Sequence, residues 1–522
     1  MTVPPRSAPS LDDPATAWRW LLVLAGGLAL ARIAALFATP LQFYPDEAQY
    51  WLWSRELHWG YVSKPPLIAW LIWATTRLGD SEAWARLSAP LLHAAAMLAL
   101  YRTGLRLYGP RAGLLAAVLY GLMPAVQVSA LFIATDAPLM CFLALSLWAY
   151  VALVQTSDAG RRRLVALGFG AAMGLAFLAK FAAVYFLLSI VLHAAIDRDA
   201  RRAWGRGAWA LALLALALSF GPNLLWQATN GFATVAHTTE VNAHWSASRL
   251  FNLGPLVEFV LGQFGVLGPV PFAVLVGGAV LLALRRALTA QDRLLLCFSL
   301  PPLVIVTVQA FVSRAHSHWA AAGYLAGVVL AAGWLLRWRA KGWIVGTLAL
   351  QGAVAALLLV VVAAPQIVDA SGNGRRLGRI RAWDGTADIV TAAARSAQAH
   401  GGLTAVVVED RYLFNELAYY GRDYFGSPGA APLRMRPPQT RALNDAELSA
   451  PLRPHEAARV LIAETAGKPE QPLLPSDFAL VTRLGRWSLW LDSNHTRDLE
   501  LMIAGQYRRQ EPGAPTSRPT AP

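Results

Sequence analysis

The sequence contains little charge and almost no cysteine for its length. Of 522 residues, only 15% are Asp, Glu, Lys or Arg, whereas an ordinary soluble domain carries about 25%, so a surface that is polar all round is excluded. The two cysteines, Cys141 and Cys297, lie far apart in apolar runs. This placement gives no disulfide framework and no cysteine spacing typical of a zinc site. The composition also excludes intrinsically disordered, collagen-like and coiled-coil proteins.

Nucleotide-binding motifs and internal repeats are also missing. The chain has no Walker A sequence and no glycine-rich turn between a strand and a helix, so no nucleotide site is indicated. We find no internal or inverted repeat, which many transporters show. Apolar side chains are abundant instead: 56% of the residues are hydrophobic, 20 are tryptophan, and the mean hydropathy is +0.42.

Long apolar stretches predict a polytopic α-helical membrane domain over residues 1–364. Each approaches the ~20 residues that a helix needs to cross the hydrocarbon core. The stretch 67–76 is too short to span and is interpreted as an interfacial helix. We expect about eleven transmembrane helices, and at most thirteen. The predicted spans lie near residues 17–38, 85–107, 112–131, 134–155, 164–179, 181–197, 207–227, 256–284, 294–312, 319–336 and 342–364.

The distribution of Lys and Arg predicts the orientation. With the N-terminus in the cytoplasm, eighteen cations of the first 364 residues fall on the cytoplasmic side and eight on the outer side. This asymmetry follows the positive-inside rule, and it places the long loops 39–84 and 228–255 outside. It also explains most of the formal net charge of +14, so no nucleic-acid partner is expected.

A change in composition after residue 364 predicts a small α/β domain on the outer side, over residues 365–507. A Pro- and Arg-rich tail, residues 508–522, is expected to be disordered. The strand-like runs are 404–409, 459–463, 478–483 and 488–491, and the helical patterns are 387–400 and 412–420.

The first outer loop carries the most unusual motif, two adjacent carboxylates in residues 44–56. One interpretation is structural: Asp46 caps a helix, and Trp51 and Trp53 form an interfacial aromatic belt. The other interpretation is catalytic. A carboxylate such as Asp46, with Glu47 beside it, can act as a general base on a hydroxyl, and partial burial raises the pKa of such a group toward the working range.

Further polar residues are expected on the same face. Lys64 precedes paired prolines and is either a snorkelling anchor or a point charge for a phosphate. Asp136 lies at the mouth of a predicted span and is either a helix cap or functional, because a carboxylate entering hydrocarbon is costly. Lys180, Arg32 and Arg249 are additional outer-side cations. The residues expected to line a substrate site are Tyr50, His237, Glu240, His244, Arg314, His316 and His318.

These segments resemble the C-type glycosyltransferase (GT-C) superfamily, in particular the bacterial branch related to protein O-mannosyltransferases and to lipid A aminoarabinose transferases. The resemblance implies an enzyme of the bacterial inner membrane with a periplasmic active site. Its donor would be a sugar on a polyprenyl phosphate such as undecaprenyl phosphate, and its acceptor a lipid or glycan. The matching segments are YPDEAQYWLWSREL, SKPPLIAW, ATDAPL, LAKFAAVYF and SRAHSHWAAAGYL, with a looser match in VVVEDRYLFNELAYYG.

The resemblance also implies roles for individual residues. Asp46 would activate the acceptor hydroxyl, with Glu47 beside it, and Asp136 would complete the acidic site. The donor phosphate would be held by Lys64, Lys180 and Arg249. A divalent cation could bind at Asp136, but aminoarabinose transferases have an acidic residue at the position of Ser63, so one carboxylate that could bind a metal is missing here.

Two other classes of function stay open. A transporter or lipid flippase is expected to have polar residues near the bilayer midplane, broken helices and internal repeats, whereas the candidates here lie on one predicted face. A structural or binding membrane protein would tolerate replacement of the acidic pair and of Lys64. Lipid A, another glycolipid, a polysaccharide and a protein hydroxyl all fit as acceptors, and the residues do not identify the sugar.

Overall fold

The structure, a computed structural model, describes residues 10–237, 253–438, 442, 444–466 and 474–508. The chain forms two compact units. The first comprises residues 1–39, 58–60 and 64–363, and the second comprises residues 40–57, 61–63 and 364–522. The predicted domain boundary at residue 364 assigned the whole first outer loop, residues 39–84, to the helical domain. The structure instead groups most of residues 40–63 with the C-terminal residues.

The first unit is a bundle of apolar helices, which confirms the predicted polytopic helical architecture. Two shorter apolar helices, Pro110–Leu122 and Phe181–Ile196, also coincide with predicted spans. Among the described residues, eight helices are long and apolar enough to cross a membrane: Pro14–Ala38, Glu82–Tyr108, Asp136–Gln155, Ala159–Ala179, Arg206–Thr229, Ala290–Val312, Ser317–Arg337 and Lys341–Ala363.

One predicted span, residues 256–284, is not a straight helix. It consists of Leu253–Val266 and Pro269–Leu284, which meet at an angle of 115°. The break falls at Gly268, whose φ of 101° lies in a region that glycine adopts without a steric penalty. The pair is therefore one broken span or a re-entrant loop, so the residues that the structure describes include eight helices long and apolar enough to cross a membrane, or nine spans if this pair counts as one.

Several shorter helices complete the structure. Helix Leu67–Thr75 coincides with the short helix predicted there. Turns of 3-10 helix occur at Phe181–Ala183, Ser317–Gly323, Gly374–Ile380, Pro454–Glu456 and Leu474–Asp477. The other short helices are Pro45–Trp53, Pro124–Ser129, Arg198–Ala203, Ala233–His237 and Gln366–Ala370.

Small residues let two helices of the first unit approach closely. A Cβ atom added at Gly170 would overlap the carbonyl oxygen of Ala212, and one added at Gly174 would overlap the hydroxyl of Ser219. The four-residue spacing places both glycines on one face of their helix, as in other membrane helix pairs that pack through small residues. This contact positions helix Ala159–Ala179, whose C-cap residue is Lys180.

A buried carboxylate joins three helices of the same unit. Asp292 is fully buried. It accepts hydrogen bonds from Oη of Tyr108 at 2.6 Å, Nε1 of Trp334 at 2.9 Å and Nη1 of Arg337 at 2.9 Å. It also accepts the backbone N–H of Thr289 at 2.9 Å. Because its partners satisfy the charge, Asp292 stabilises the bundle without the penalty of an unpaired ion.

The C-terminal part of the second unit is a five-stranded mixed sheet with helices, which confirms the predicted small domain. The strands are β1 (Ala405–Val408), β2 (Leu433–Met435), β3 (Arg459–Thr465), β4 (Phe478–Trp490) and β5 (Thr496–Tyr507). Their order is β2-β1-β3-β5-β4, with β1 parallel to β2 and β3, and β5 antiparallel to β3 and β4. The helices are Trp383–Ala399, Arg411–Tyr420, Arg422–Phe425 and Asp445–Ser449.

Three strands of this sheet, β2, β4 and β5, depart from the prediction. The runs 478–483 and 488–491 form the single strand β4, because the chain continues through a bulge at Arg483 and Gly485 instead of turning. Strands β2 and β5 were not predicted, although β2 pairs with β1 and β5 pairs with both β3 and β4. The strand β1 is buried along its whole length, as expected for a parallel strand that is covered on both faces.

Candidate active site

An ion pair joins the ends of two packed helices in the helical unit. Asp136 is the first residue of helix Asp136–Gln155 and Thr135 is the N-cap, so the interpretation of Asp136 as the cap is wrong. Lys180 is the C-cap of helix Ala159–Ala179. Its Nζ atom lies 2.9 Å from Oδ1 of Asp136, and the two side chains are only 22% and 26% exposed. The pair is therefore partly shielded from water.

Other predicted residues lie around this pair. Lys64 and His318 are close enough to Asp136 to interact electrostatically with its carboxylate. The rings of His316 and His318 stack with centroids 5.7 Å apart. Partial desolvation and the neighbouring charge of Arg314 lower the pKa of His316, so this imidazole is neutral at neutral pH.

This arrangement has the electrostatic character of an anion site. Two ammonium groups, those of Lys64 and Lys180, act on one carboxylate, that of Asp136, so cations outnumber carboxylates among these three side chains. Partial burial strengthens the attraction of such a site for an anion relative to water. A lysine ammonium is a compact point charge suited to phosphate. The cluster could therefore hold a phosphate group while keeping one carboxylate beside it.

The side chains described around Asp136 do not form a typical divalent-cation site. Among the described residues, no group of three or more His, Cys, Asp or Glu side chains could hold a metal ion. The Oδ1 atom of Asp136 already accepts a hydrogen bond from Nζ of Lys180. Oxygen-rich donor sets are what Mg²⁺ and Ca²⁺ prefer, and the groups around Asp136 are cations or imidazoles.

The adjacent carboxylates of the first outer loop lie in the second unit and have different environments. Helix Pro45–Trp53 begins after its N-cap residue, Tyr44, so the interpretation of Asp46 as the cap is wrong. Glu47 is 2% exposed and accepts the backbone N–H of Tyr44 at 2.9 Å. The side chain of Asp46 is 43% exposed. The Glu47 carboxylate thus helps to fix the helix terminus, while the Asp46 carboxylate remains accessible.

Aromatic contacts hold the helix that carries Asp46 against helix Arg411–Tyr420. Trp51 meets Tyr419 edge to face at 4.7 Å between centroids, and Phe43 packs on the same tyrosine at 4.5 Å. Trp51 and Trp53 are 6% and 5% exposed. The interpretation of these tryptophans as an interfacial belt is therefore wrong, because Trp51 is buried against helix Arg411–Tyr420. Tyr50, a predicted substrate-lining residue, is also buried at 5% exposure.

Two arginines near Asp46 were not predicted. Nη2 of Arg411 lies 3.9 Å from Oδ1 of Asp46, and Nη1 of Arg379 donates a hydrogen bond to Oη of Tyr44 at 2.9 Å. Arg411 lies within the segment VVVEDRYLFNELAYYG, which resembles the family, and this resemblance was the available signal. Arg379 follows no motif, because a 3-10 turn brings it to Tyr44.

Some predicted residues are not placed in either cluster. His237 ends the short helix Ala233–His237 and is half-buried. Glu240, His244 and Arg249 lie outside the described residues. The roles suggested for these four residues stay predictions. Arg32, the remaining predicted cation, is buried and donates a hydrogen bond to the carbonyl oxygen of Gly121 at 2.7 Å.

The pH dependence of stability is expected to depend on Asp445, whose Oδ1 accepts the backbone N–H of Val62 at 2.9 Å. Burial raises the pKa of Asp445 to about 6. The folded chain therefore holds this proton more tightly than the unfolded chain, so the resulting stability is full below about pH 4 and is lost as the pH rises through about 6. In Asp445→Asn, whose amide oxygen can still accept the Val62 N–H, this dependence should disappear.

Hydrogen exchange of residues 405–465 in detergent, at about pH 5 and pH 7 and corrected for intrinsic rates, measures this effect. Exchange in the unchanged chain should become faster relative to the intrinsic rate at the higher pH. The Asp445→Asn variant should show the same protection at both values. Equal pH dependence in the two chains would contradict the assignment to Asp445.

Comparison with known proteins places this geometry in a family. A family model described as dolichyl-phosphate-mannose-protein mannosyltransferase matches residues 63–226, the stretch that contains Lys64, Asp136 and Lys180. The chain is also 35% identical over 409 residues to the lipid A galacturonosyltransferase RgtD of Rhizobium johnstonii. That alignment covers 77% of this chain and 82% of the relative.

Solved structures share the fold. The crystal structure of ArnT from Cupriavidus metallidurans bound to undecaprenyl phosphate has a TM-score of 0.60 at 19% identity, and the match covers 93% of this chain and 98% of that chain. The apo form of ArnT gives 0.59 at 16% identity, with 94% and 98% covered. With its sequence match to RgtD, the chain belongs to the C-type (GT-C) glycosyltransferase family and is a multi-pass membrane glycosyltransferase.

Proposed function

We propose that the protein transfers galacturonic acid from a polyprenyl-phosphate donor to lipid A. The observation that carries this proposal is the 35% identity to a lipid A galacturonosyltransferase over 82% of that relative's length. The donor class is supported by the lysines around Asp136, whose net positive charge suits a phosphate. It is further supported by the undecaprenyl phosphate bound to the structural relative ArnT.

We further propose that the reaction takes place at the periplasmic face of a bacterial inner membrane, with the N-terminus in the cytoplasm. The excess of Lys and Arg in the loops predicted to be cytoplasmic supports this orientation. Under this topology, residues 40–63 and the C-terminal domain are periplasmic.

The proposed reaction needs a base for the acceptor and cations for the leaving group. The acceptor hydroxyl attacks the anomeric carbon of the donor sugar, its proton passes to a carboxylate oxygen of Asp46, and the bond from the anomeric carbon to the lipid phosphate breaks. Lys64 and Lys180 stabilise the charge on the departing phosphate. Asp136 is placed beside them, where its charge can stabilise the oxocarbenium character of the transition state.

Mass spectrometry of lipid A tests this function. Cells with and without the gene are compared, and the purified chain is then supplied with undecaprenyl phosphate-linked galacturonic acid and lipid A. We expect lipid A to gain one hexuronic acid in both settings. A hexose or aminosugar increment would contradict the proposed sugar, and a change confined to proteins or polysaccharides would contradict the acceptor. Chelation and re-addition of divalent cations in the same assay test the metal prediction.

A further inference from the structure

Two guanidinium groups accompany Asp46 within the second unit. Arg411 is the first residue of helix Arg411–Tyr420, and its Nη2 lies 3.9 Å from Oδ1 of Asp46. Arg379 acts on Asp46 electrostatically while donating a hydrogen bond to Tyr44. The side chain of Arg411 is 32% exposed, and Arg379 is exposed. The accessible carboxylate therefore lies in a region of positive charge.

Arg411 is held in place but has unused donors. Its Nη2 donates a hydrogen bond to Oη of Tyr412 at 3.1 Å, and its Cζ lies 4.7 Å from the centroid of the Tyr412 ring. The separation of 3.9 Å from Asp46 is beyond hydrogen-bonding distance. Among the described residues, this is the one hydrogen bond that its side chain donates. Since a guanidinium has five N–H groups in a rigid fork, most remain available for a ligand.

Building on the proposed function, we propose that Arg411, assisted by Arg379, binds the carboxylate of the transferred sugar and thereby selects uronic-acid donors over neutral hexoses. Arg411 is thus a specificity-determining residue for the transfer reaction. The ligand class is a hexuronosyl group, a pyranose whose C6 is a carboxylate.

The position of Arg411 beside the general base matches the chemistry of such a sugar. In a hexuronate, the carboxylate carbon is three bonds from the anomeric carbon, so it arrives close to the base that activates the attacking hydroxyl. Two carboxylates brought this near one another repel, and a cation beside Asp46 offsets that repulsion. The planar fork of arginine also matches the two oxygens of a carboxylate, which a lysine cannot do.

Asp445 is a second acidic group that interacts electrostatically with Arg411. Its Oδ1 is already engaged by the backbone N–H of Val62, and burial raises its pKa to about 6. Asp445 therefore loses its charge in mildly acidic solution and competes less with an incoming carboxylate. Asp46 is nearer to Arg411, but its Oδ1 lies 3.9 Å from Nη2 of Arg411. At this distance Asp46 does not occupy the N–H groups of Arg411 in a hydrogen bond.

Donor selectivity in detergent, with purified full-length protein, tests the inference. The donors are undecaprenyl phosphate-linked galacturonic acid and the matched galactose compound, and the acceptors are lipid A with and without its phosphates. The variants are Arg411→Gln, Arg411→Lys and Arg379→Gln. Arg395→Gln is the control, since Arg395 also stacks on a tyrosine of this unit, with its Cζ 5.3 Å from the ring of Tyr424.

We expect Arg411→Gln to lower the ratio of kcat/KM for the uronic-acid donor to that for the galactose donor by about 10–100-fold, the range of a charge-assisted hydrogen bond. The loss should be mainly in KM for the uronic-acid donor. Arg411→Lys should keep part of the preference through its charge, Arg379→Gln should have a smaller effect, and Arg395→Gln should leave the ratio unchanged.

Three results would overturn the inference while leaving the proposed function intact. An equal loss with both donors would show that Arg411 acts through Asp46. An unchanged ratio would show that Arg411 has no part in selection. A defect that appears only with phosphorylated lipid A would show that Arg411 binds an acceptor phosphate. Failure of the unchanged protein to transfer galacturonic acid to lipid A is a distinct result, and it would reject the proposed function itself.

Discussion

Asp46→Asn is expected to abolish sugar transfer while leaving the level and the fold of the protein unchanged. The amide is nearly isosteric with the carboxylate but cannot take up the proton of the acceptor hydroxyl. Loss of a general base lowers rates by about 10²–10⁴-fold. The helix should persist because Glu47, not Asp46, accepts the backbone N–H of Tyr44, and because the Asp46 side chain is 43% exposed. Turnover of labelled donor, with full-length protein in detergent, measures the loss.

Asp384→Asn is the matched control for this variant. Asp384 is likewise an exposed aspartate in the first turn of a helix of the second unit, Trp383–Ala399, and transfer should be unaffected by its replacement. Full activity of Asp46→Asn would remove Asp46 from the role of base. A higher KM for the donor at unchanged kcat would instead show that Asp46 binds the donor.

The second large effect is expected at the ion pair of Asp136 and Lys180. We expect Asp136→Ala and Lys180→Ala each to lower kcat/KM by about 10²–10³-fold, because each removes a preorganised charge from the reacting centre. A purely structural ion pair behaves differently. Removing one partner destabilises the protein, whereas replacing both by apolar residues of similar volume is often neutral.

The double variant Asp136→Leu/Lys180→Met separates these two roles. It should fold, as judged by its elution in detergent and its thermal unfolding, and it should remain inactive. Recovery of transfer in the double variant would show that the pair only holds together the helices that end at these residues. A matched pair elsewhere is Arg381 and Asp369, joined at 2.6 Å in the second unit, whose replacement should not change turnover.

The sequence was sufficient to predict the helical segments because hydrophobicity and span length depend on local composition. The prediction failed where backbone geometry decides the outcome. Residues 256–284 are mostly apolar, yet the segment bends at Gly268, whose φ is positive. Strand β4 was divided in two because a bulge at Gly485 resembles a turn in sequence.

The candidate site was partly predictable for a related reason. Asp136 and Lys180 were recognisable singly, as charged residues at the ends of apolar runs, and the structure brings them together through the packing of two helices. Trp51 was misinterpreted because interfacial and buried tryptophans have the same local pattern, and only its contact with Tyr419 distinguishes them. Arg411 was missed as a neighbour of Asp46 because 364 residues separate the two in sequence.

The second unit combines segments that are far apart in sequence, and this has a consequence for the time course of biosynthesis. Residues 40–57 and 61–63 leave the ribosome roughly 300 residues before the C-terminal part of their unit, an interval of about 15–60 s at ~5–20 residues per second. During this time Trp51 lacks its partner Tyr419, so helix Pro45–Trp53 cannot dock. A nascent chain can therefore insert most of its spans before the helix that carries Asp46 has packed in its final position. Only completion of the C-terminal domain then gives a mature enzyme.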